Sequence, residues 1–203
     1  MGDRGKRSAP ARRNPGNRRR AKRMSVKVFL ILSVTFLLAA VFVNMGRLIK
    51  PAALFVEEIA PLCQDIDEEL PLILAVIQTE SRFRQDALST RGAVGLMQIM
   101  PDTGRWMADQ LGLDDYDESK LFEREWNLII GISYIHYLRG QFPGSLPLVL
   151  AAYNAGPSRV RSWLDAGDWD GSLTDLDDIP YPETRNYIKK ALRAYEGYRK
   201  YYR

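Results

Sequence analysis

The chain has 203 residues, 46% of them hydrophobic, with 29 Lys or Arg against 25 Asp or Glu, one His and one Cys. A single His and a single Cys far apart exclude a Ser-His-Asp or Cys-His machine and a Cys/His zinc site; neither a GxxxxGK[ST] phosphate loop nor a GxGxxG dinucleotide turn is present. The positive charge belongs to one end: residues 1–27 hold eleven Lys or Arg and one acid, Asp3, whereas the rest carries 18 basic against 24 acidic residues, so the pI near 9.2 describes a tail and no nucleic-acid partner is expected.

Residues 28–46, "VFLILSVTFLLAAVFVNMG", carry no charge and are flanked by Lys27 and Arg47. About twenty apolar residues cross a bilayer as a helix. A secretory signal has a shorter apolar region, about 7 to 15 residues, and a small-x-small cleavage site, and no convincing site follows Ala39 and Ala40. The expectation is an uncleaved transmembrane signal anchor, single-pass in the cytoplasmic membrane, with the basic tail 1–27 inside and everything after Arg47 outside. Residues 47–64 read as a juxtamembrane connector, helical after Pro51, and the lone Cys63 has no partner for an internal disulfide.

Residues 65–203 read as an all-α domain with polar, Gly-rich loops. Helices are expected over 71–83, after Asp102 as a cap and up to Gly112, over 123–142 and 146–153, between Gly156 and Gly167, and over 182–202. The segment "DALSTRGAVGLMQIMP" between the first two is a loop. His136, in "SYIHYL", reads as a satisfied structural histidine.

Ile73, Val76 and Ile77 lie seven, four and three positions before Glu80 and set its carboxylate on the apolar face of the first helix. Burial disfavours a carboxylate and raises its pKa. Such a Glu either protonates a leaving oxygen and later takes a proton back, or is a structural carboxylate held by backbone N–H groups; periodicity leaves both open. Two-carboxylate glycoside hydrolysis needs a facing partner, for which Asp86, Asp102 and Glu183 are the candidates. Metal and cofactor chemistry is not expected.

Three segments, "ESRFRQDALSTRGAVGLMQIMP" (80–101), "AAYNAGPSRV" (151–160) and "IPYPETRNYI" (179–188), together resemble the lytic transglycosylases of the soluble-lytic-transglycosylase (SLT) type, relatives of goose-type lysozyme. The resemblance covers about residues 65–200 and keeps the family's motif order and spacing. It implies a lysozyme-like helical fold with a groove for peptidoglycan glycan strands and Glu80 as the sole catalytic acid/base. By the same resemblance Ser89 and Gln98 hydrogen-bond the sugars, Met97 lines the groove, Tyr153 faces the catalytic Glu and Asn154 shares its motif. Ser81 follows the Glu, and Glu183 holds the final helix against the site. Gly92 and Gly95 serve either tight turns or close ligand approach, and Tyr153 has core packing as its alternative. For Trp106, Trp126, Trp163 and Trp169, core packing is the default over stacking on sugars.

The activity so implied is cleavage of the β-1,4 bond between N-acetylmuramic acid and N-acetylglucosamine with formation of a 1,6-anhydromuramic end. Its alternatives are a muramidase that uses water and a non-catalytic peptidoglycan-binding scaffold. Many relatives are soluble exported proteins or lipoproteins, so the anchor and the arginine-rich tail depart from the pattern and leave cell-envelope protein partners undefined.

Overall fold

The structure is a computed structural model that describes residues 30–38, 52–64 and 66–202. The chain divides into two compact units, Met1–Met45 and Gly46–Arg203. In the first, residues 30–38 form helix α1, along which Leu30, Ile31, Leu32, Val34, Phe36, Leu37 and Leu38 are exposed. Most of the expected span 28–46 and all of the tail 1–27 lie outside the described residues. Among those described, no helix is long and apolar enough to cross a membrane.

The second unit is helical, as expected of an all-α domain. Helix α2 (Val56–Ile59) and a 3₁₀ turn lead into α3 (Ile66–Glu80), followed by α4 (Pro101–Leu111), α5 (Arg124–Gln141), α6 (Leu146–Ala155), α7 (Pro157–Ala166) and α8 (Pro182–Arg199). The loop between α3 and α4 contains two isolated antiparallel bridges, Leu88 with Val94 and Val94 with Ile99.

Helix α3 is the centre of the core. Every residue from Leu70 to Ile77 is buried, so it meets neighbours on all sides and shows little solvent face. Helix α8 packs along it with Thr184, Tyr187, Ile188, Ala191 and Tyr198 turned inward, the three- and four-residue spacing of one helical stripe. The Tyr198 hydroxyl bonds to the Gln78 side chain across this contact.

Local rules explain where the helices differ from expectation. Helix α3 starts five residues before Pro71, which lies inside it; the proline leaves the carbonyl four residues back without its helical donor, a loss that packing on every side offsets. The helix stops at Glu80 because Arg82 and Phe83 take φ of 54° and 63°, incompatible with continuing a right-handed helix. Asp102 is not the cap of α4: Met100 is, in an extended conformation, with Pro101 as first helical residue and Asp102 in the first turn, where an anion suits the helix dipole. Gly112 and Gly167 end α4 and α7 in the left-handed conformation, as glycines do. Helix α8 ends three residues short of 202.

The expected connector joins the core from residue 52 onward. Ala52, Phe55 and Ile59 are buried in the same apolar cluster as α3, and the Phe55 ring lies 5.4 Å from that of Phe83. The Gln64 N–H donates to the buried Glu69 carboxylate at 2.7 Å, which also faces His136 Nε2 at 2.9 Å and Arg139 Nη1 at 3.2 Å. His136 thus has a satisfied structural role.

Helix α5 approaches the 95–99 loop through Gly131, where an added Cβ would stand 2.3 Å from the Met97 sulfur and 3.0 Å from its Cβ. Met97 is fully buried and has nowhere to retreat. Gly131→Ala is expected to destabilise the domain by about 1–3 kcal/mol as an overpacked core does, read as a lower urea midpoint at unchanged slope; an unchanged midpoint would show that Met97 repacks freely.

Candidate active site

Glu80 is the last residue of α3, carried by the most buried helix to the point where the chain turns away. Burial pushes its carboxyl up from 4.5 to about 7, opposed by a hydrogen-bonding influence of the Tyr187 hydroxyl and reinforced by the charge of Glu183. Two tyrosine hydroxyls stand around it, both pushed well above the ordinary phenol value by burial and by the neighbouring Glu80 charge. Tyr153, on α6, donates to the Met97 carbonyl at 2.7 Å. The buried Tyr187 hydroxyl, on α8, has no partner at normal hydrogen-bond geometry, so its available acceptor is the Glu80 carboxyl. Both phenols are neutral donors at any ordinary pH.

The loop from 81 to 99 forms one wall of the site, where the Met97 carbonyl meets Tyr153, and makes many of its hydrogen bonds within itself. Ser81 is buried and donates from Oγ to the Ile77 carbonyl at 3.1 Å, finishing the helix. Ser89 accepts the Ala93 N–H on its Oγ at 2.9 Å and closes the turn at Gly92. Gln98, at a left-handed φ of 49°, donates from Nε2 to the carbonyls of Ala87 and Gly95, both at 3.0 Å. Both amide-group bonds are internal to the loop. Three non-glycine residues at positive φ, Arg82, Phe83 and Gln98, store strain of about 1–3 kcal/mol each in the loop that follows Glu80.

Asn127 of α5 holds this loop from beneath. Its Oδ1 accepts the Met97 N–H at 2.8 Å, and its Nδ2 donates to the carbonyls of Val94 (2.9 Å) and Leu121 (2.8 Å). Gly95 allows that approach: a Cβ there would stand 2.2 Å from Asn127 Nδ2 and 2.7 Å from the Leu121 carbonyl. Of the two readings for Gly95, backbone approach therefore has a direct cause. Gly92, at φ 86° with open space around it, serves the turn.

The remaining residues fall as follows. The Met97 side chain is buried against Gly131 rather than lining a groove, and Met97 reaches the site through its carbonyl; the exposed methionine of this loop is Met100. Asn154 accepts from the Thr184 hydroxyl at 2.8 Å and so joins α6 to α8. Glu183, in the first turn of α8, pairs with Arg91 of the loop at 3.4 Å; both are exposed, so the link adds little stability while spanning the site. Asp86 and Asp102 are exposed, and Asp102 pairs with Arg105 at 3.2 Å.

The transglycosylase SLT domain matches residues 64–172. The chain belongs to that family. Soluble lytic murein transglycosylase of Salmonella typhimurium is 40% identical over 132 residues, covering 64% of this chain and 20% of that protein. Membrane-bound lytic murein transglycosylase C of Histophilus somni is 31% identical over 157 residues, covering 66% and 42%. Among solved structures, an inactive Glu-to-Gln mutant of lytic transglycosylase Slt from Pseudomonas aeruginosa is 35% identical with a TM-score of 0.56, covering 62% of this chain and 20% of that one. A complex of the 70-kDa soluble lytic transglycosylase with bulgecin A is 33% identical with a TM-score of 0.60, covering 72% and 25%. The chain spans about a fifth of the length of the Salmonella relative it matches.

Two residues around the site escaped the sequence reading. Tyr187 lies inside the segment "IPYPETRNYI" but received no role of its own; its place four residues after Glu183, on the same helix face, was the available signal. Asn127 reads as an ordinary polar residue in "REWNLII", and nothing in its spacing announces that it faces a loop thirty residues earlier in the chain.

The raised Glu80 pKa has a consequence for stability. Because the folded state keeps the proton more tightly than the unfolded chain, the contribution is fully present below about pH 4.5 and is lost as pH rises through about 7. Above that pH the buried charge costs on the order of 3 kcal/mol. Glu80→Gln should therefore be more stable than the parent at pH 8 by up to ~3 kcal/mol, with the gap closing near pH 4 in paired denaturant titrations; an equal gap at both pH values would remove burial of the charge as its cause.

Proposed function

We propose that this chain is a membrane-anchored peptidoglycan lytic transglycosylase in which Glu80 acts alone as acid and then base. The observation that carries the reading is a carboxyl with its pKa near 7 at the end of the core helix, flanked by two neutral phenols. In the first step protonated Glu80 gives its proton to the oxygen bridging N-acetylmuramic acid and N-acetylglucosamine, while the muramoyl N-acetyl oxygen assists at the anomeric carbon as that bond breaks. In the second step the Glu80 carboxylate takes the proton of the muramoyl 6-hydroxyl, whose oxygen bonds to the anomeric carbon and releases the acetamido group. The product is a 1,6-anhydro sugar, Glu80 is protonated again, and no water is consumed. A pKa near the working pH suits a group that must give and take a proton in one cycle. Tyr187 offers a donor to the carboxylate between the steps, and Tyr153 steadies the loop through the Met97 carbonyl.

A water-using muramidase is the second reading, favoured by the charge of Glu183 felt at Glu80. Against it, Glu183 is exposed and paired with Arg91, a poor setting for a base that must hold one water in place.

Anchoring rests on the charge-free run 28–46, its basic flank and the apolar surface of α1. The domain would then face the cell wall, with peptidoglycan strands as substrate and the tail available to anionic lipid or envelope proteins.

Glu80→Gln should lower the rate on purified peptidoglycan by at least about 10²- to 10⁴-fold, and the parent's rate should decline as pH rises above about 7. Retention of more than about a tenth of the parent rate would be far less than an acid/base loses and would exclude Glu80 from that role. Digestion in ¹⁸O-water followed by mass spectrometry should yield unlabelled anhydro ends; labelled reducing ends as the main product would establish the hydrolase.

Topology is tested by a reporter active only outside the cytoplasm. It should work when fused after Arg203 and fail when fused before Ser25. Recovery of a mature protein lacking residues 1–46 would instead establish a cleaved signal.

A further inference from the structure

Helix α3 runs out into a turn that few side chains favour. Glu80 is followed by Arg82 and Phe83 at φ of 54° and 63°, left-handed values that a bulky aromatic residue rarely holds without support. The main-chain bonds across the turn, Arg82 N–H to the Gln78 carbonyl and Arg84 N–H to the Ser81 carbonyl, are both 3.2 Å, the long end of the normal range. Arg82 is exposed, whereas Phe83 is half-buried against the apolar core. Its ring lies 5.4 Å from that of Phe55, tilted by 33°, within the span of favourable aromatic pairs. Phe55 is only 6% exposed and is held in turn by Arg124, the first residue of α5, whose guanidinium lies over the Phe55 ring at 5.0 Å. Arg124 donates from Nη1 to Glu58 at 2.8 Å and from Nε to the Gln85 side chain at 3.3 Å, and Gln85 donates to the Phe122 carbonyl at 3.2 Å. One arginine thereby joins residues 55–58 to the loop just past Glu80. Phe55 and Glu58 both precede the stretch matched by the family, residues 64–172.

We propose that Phe55, carried by the segment 52–64, is a positioning residue of the active site: it holds the 82–83 turn through the Phe83 ring and so fixes where the Glu80 carboxyl stands. The proposal rests on the acid/base reading of Glu80 and adds to it a part of the chain outside the region shared with the family. The residue that Phe55 supports is strained, and strain persists only where the surroundings over-determine it. The contact falls three residues after the group that must give and take a proton, with no regular helix between them to absorb a displacement. Arg124 touches both Phe55 and Gln85, so the segment is tied to the loop at two points. Release of the Phe83 ring would let the turn relax to ordinary backbone angles, and the end of α3 would carry Glu80 toward water. Burial is the largest influence that keeps the proton on Glu80, with the Glu183 charge and the Tyr187 and Tyr153 hydroxyls as its other titratable neighbours. A wetter carboxyl would lose both its hold on the proton and its aim at the glycosidic oxygen.

The test uses the full chain on purified peptidoglycan, with Phe55→Leu, which keeps apolar volume but no ring, and Arg124→Gln, at an exposed position where substitution leaves the core untouched. Phe55→Leu should lower kcat by roughly three- to tenfold, a fraction of the ~10²-fold that a small misplacement of a reacting group can cost, with KM little changed. The alkaline limb of its rate profile should move down from about 7 toward the ordinary 4.5, because fewer molecules keep Glu80 protonated at a given pH. Arg124→Gln should lower kcat in the same sense by about two- to threefold. A structural role alone would lower the unfolding midpoint of Phe55→Leu and leave kcat and the alkaline limb at the parent's values. Those parent values would overturn the proposal whatever the midpoint, as would a loss confined to KM; should Phe55→Leu fail to fold, Arg124→Gln is judged by the same criterion. Glu80→Gln measured beside them reads the acid/base role separately. An inactive Glu80→Gln beside a parent-like Phe55→Leu overturns the positioning role alone, whereas an active Glu80→Gln removes the reading on which it rests.

Discussion

One buried side chain sets the shape of the site. Asn127 has one acceptor and two donors engaged, all with main-chain groups: the Met97 N–H and the Val94 carbonyl of the 81–99 loop, and the Leu121 carbonyl of the short 3₁₀ helix Glu118–Phe122. Buried main-chain groups without partners cost about 1–3 kcal/mol each, so a loop that turns as sharply as 94–99 needs an interior partner. An amide is the side chain that offers a donor and an acceptor together without charge. From that attachment the rest follows: Gly95 must lack a Cβ, Met97 must point inward against Gly131, and the Met97 carbonyl is presented to Tyr153. That wall of the site is thus fixed from below by α5 and from the side by α6.

Against that rigid wall, Glu80 is set at a deliberate disadvantage. A residue at the end of the most buried helix, with another carboxylate nearby and no cation among the influences on it, ionises reluctantly, and the strained turn at Arg82 and Phe83 adds to the expense. Destabilised positions of this sort gather at functional sites. Here the core that surrounds α3 supplies the stability which the site gives up.

Much of this was legible in the chain and some was not, for identifiable reasons. Glycines at 112, 156 and 167 punctuate the helices where the left-handed or extended turns fall, and the Glu80 stripe was readable because helical spacing is local. Pro71 misled because a proline usually opens a helix, and only packing on all sides keeps it within one. Asp102 misled for the converse reason, since Pro101 already supplies the first helical residue. Met97 was assigned to a groove by its motif, whereas its inward direction depends on Gly131, a contact between distant segments. Tyr187 and Asn127 act through partners more than thirty or a hundred residues away in some cases, and single-sequence periodicity carries no signal of that range.

The segment from Ala52 to Gln64 bears on how this helical body can be separated from whatever precedes it. Its Ala52, Phe55 and Ile59 fill the core, Arg124 lies over the Phe55 ring at 5.0 Å and pairs with Glu58 at 2.8 Å, and Phe55 meets Phe83 in the turn just past Glu80. A protease cutting inside this stretch would not free an intact domain; it would strip a lid of apolar side chains from α3 and uncover a sticky surface prone to self-association. Clean liberation requires a scissile bond upstream of residue 52, and a recombinant boundary drawn at residue 64, where the family match begins, would amputate part of the body it was meant to isolate.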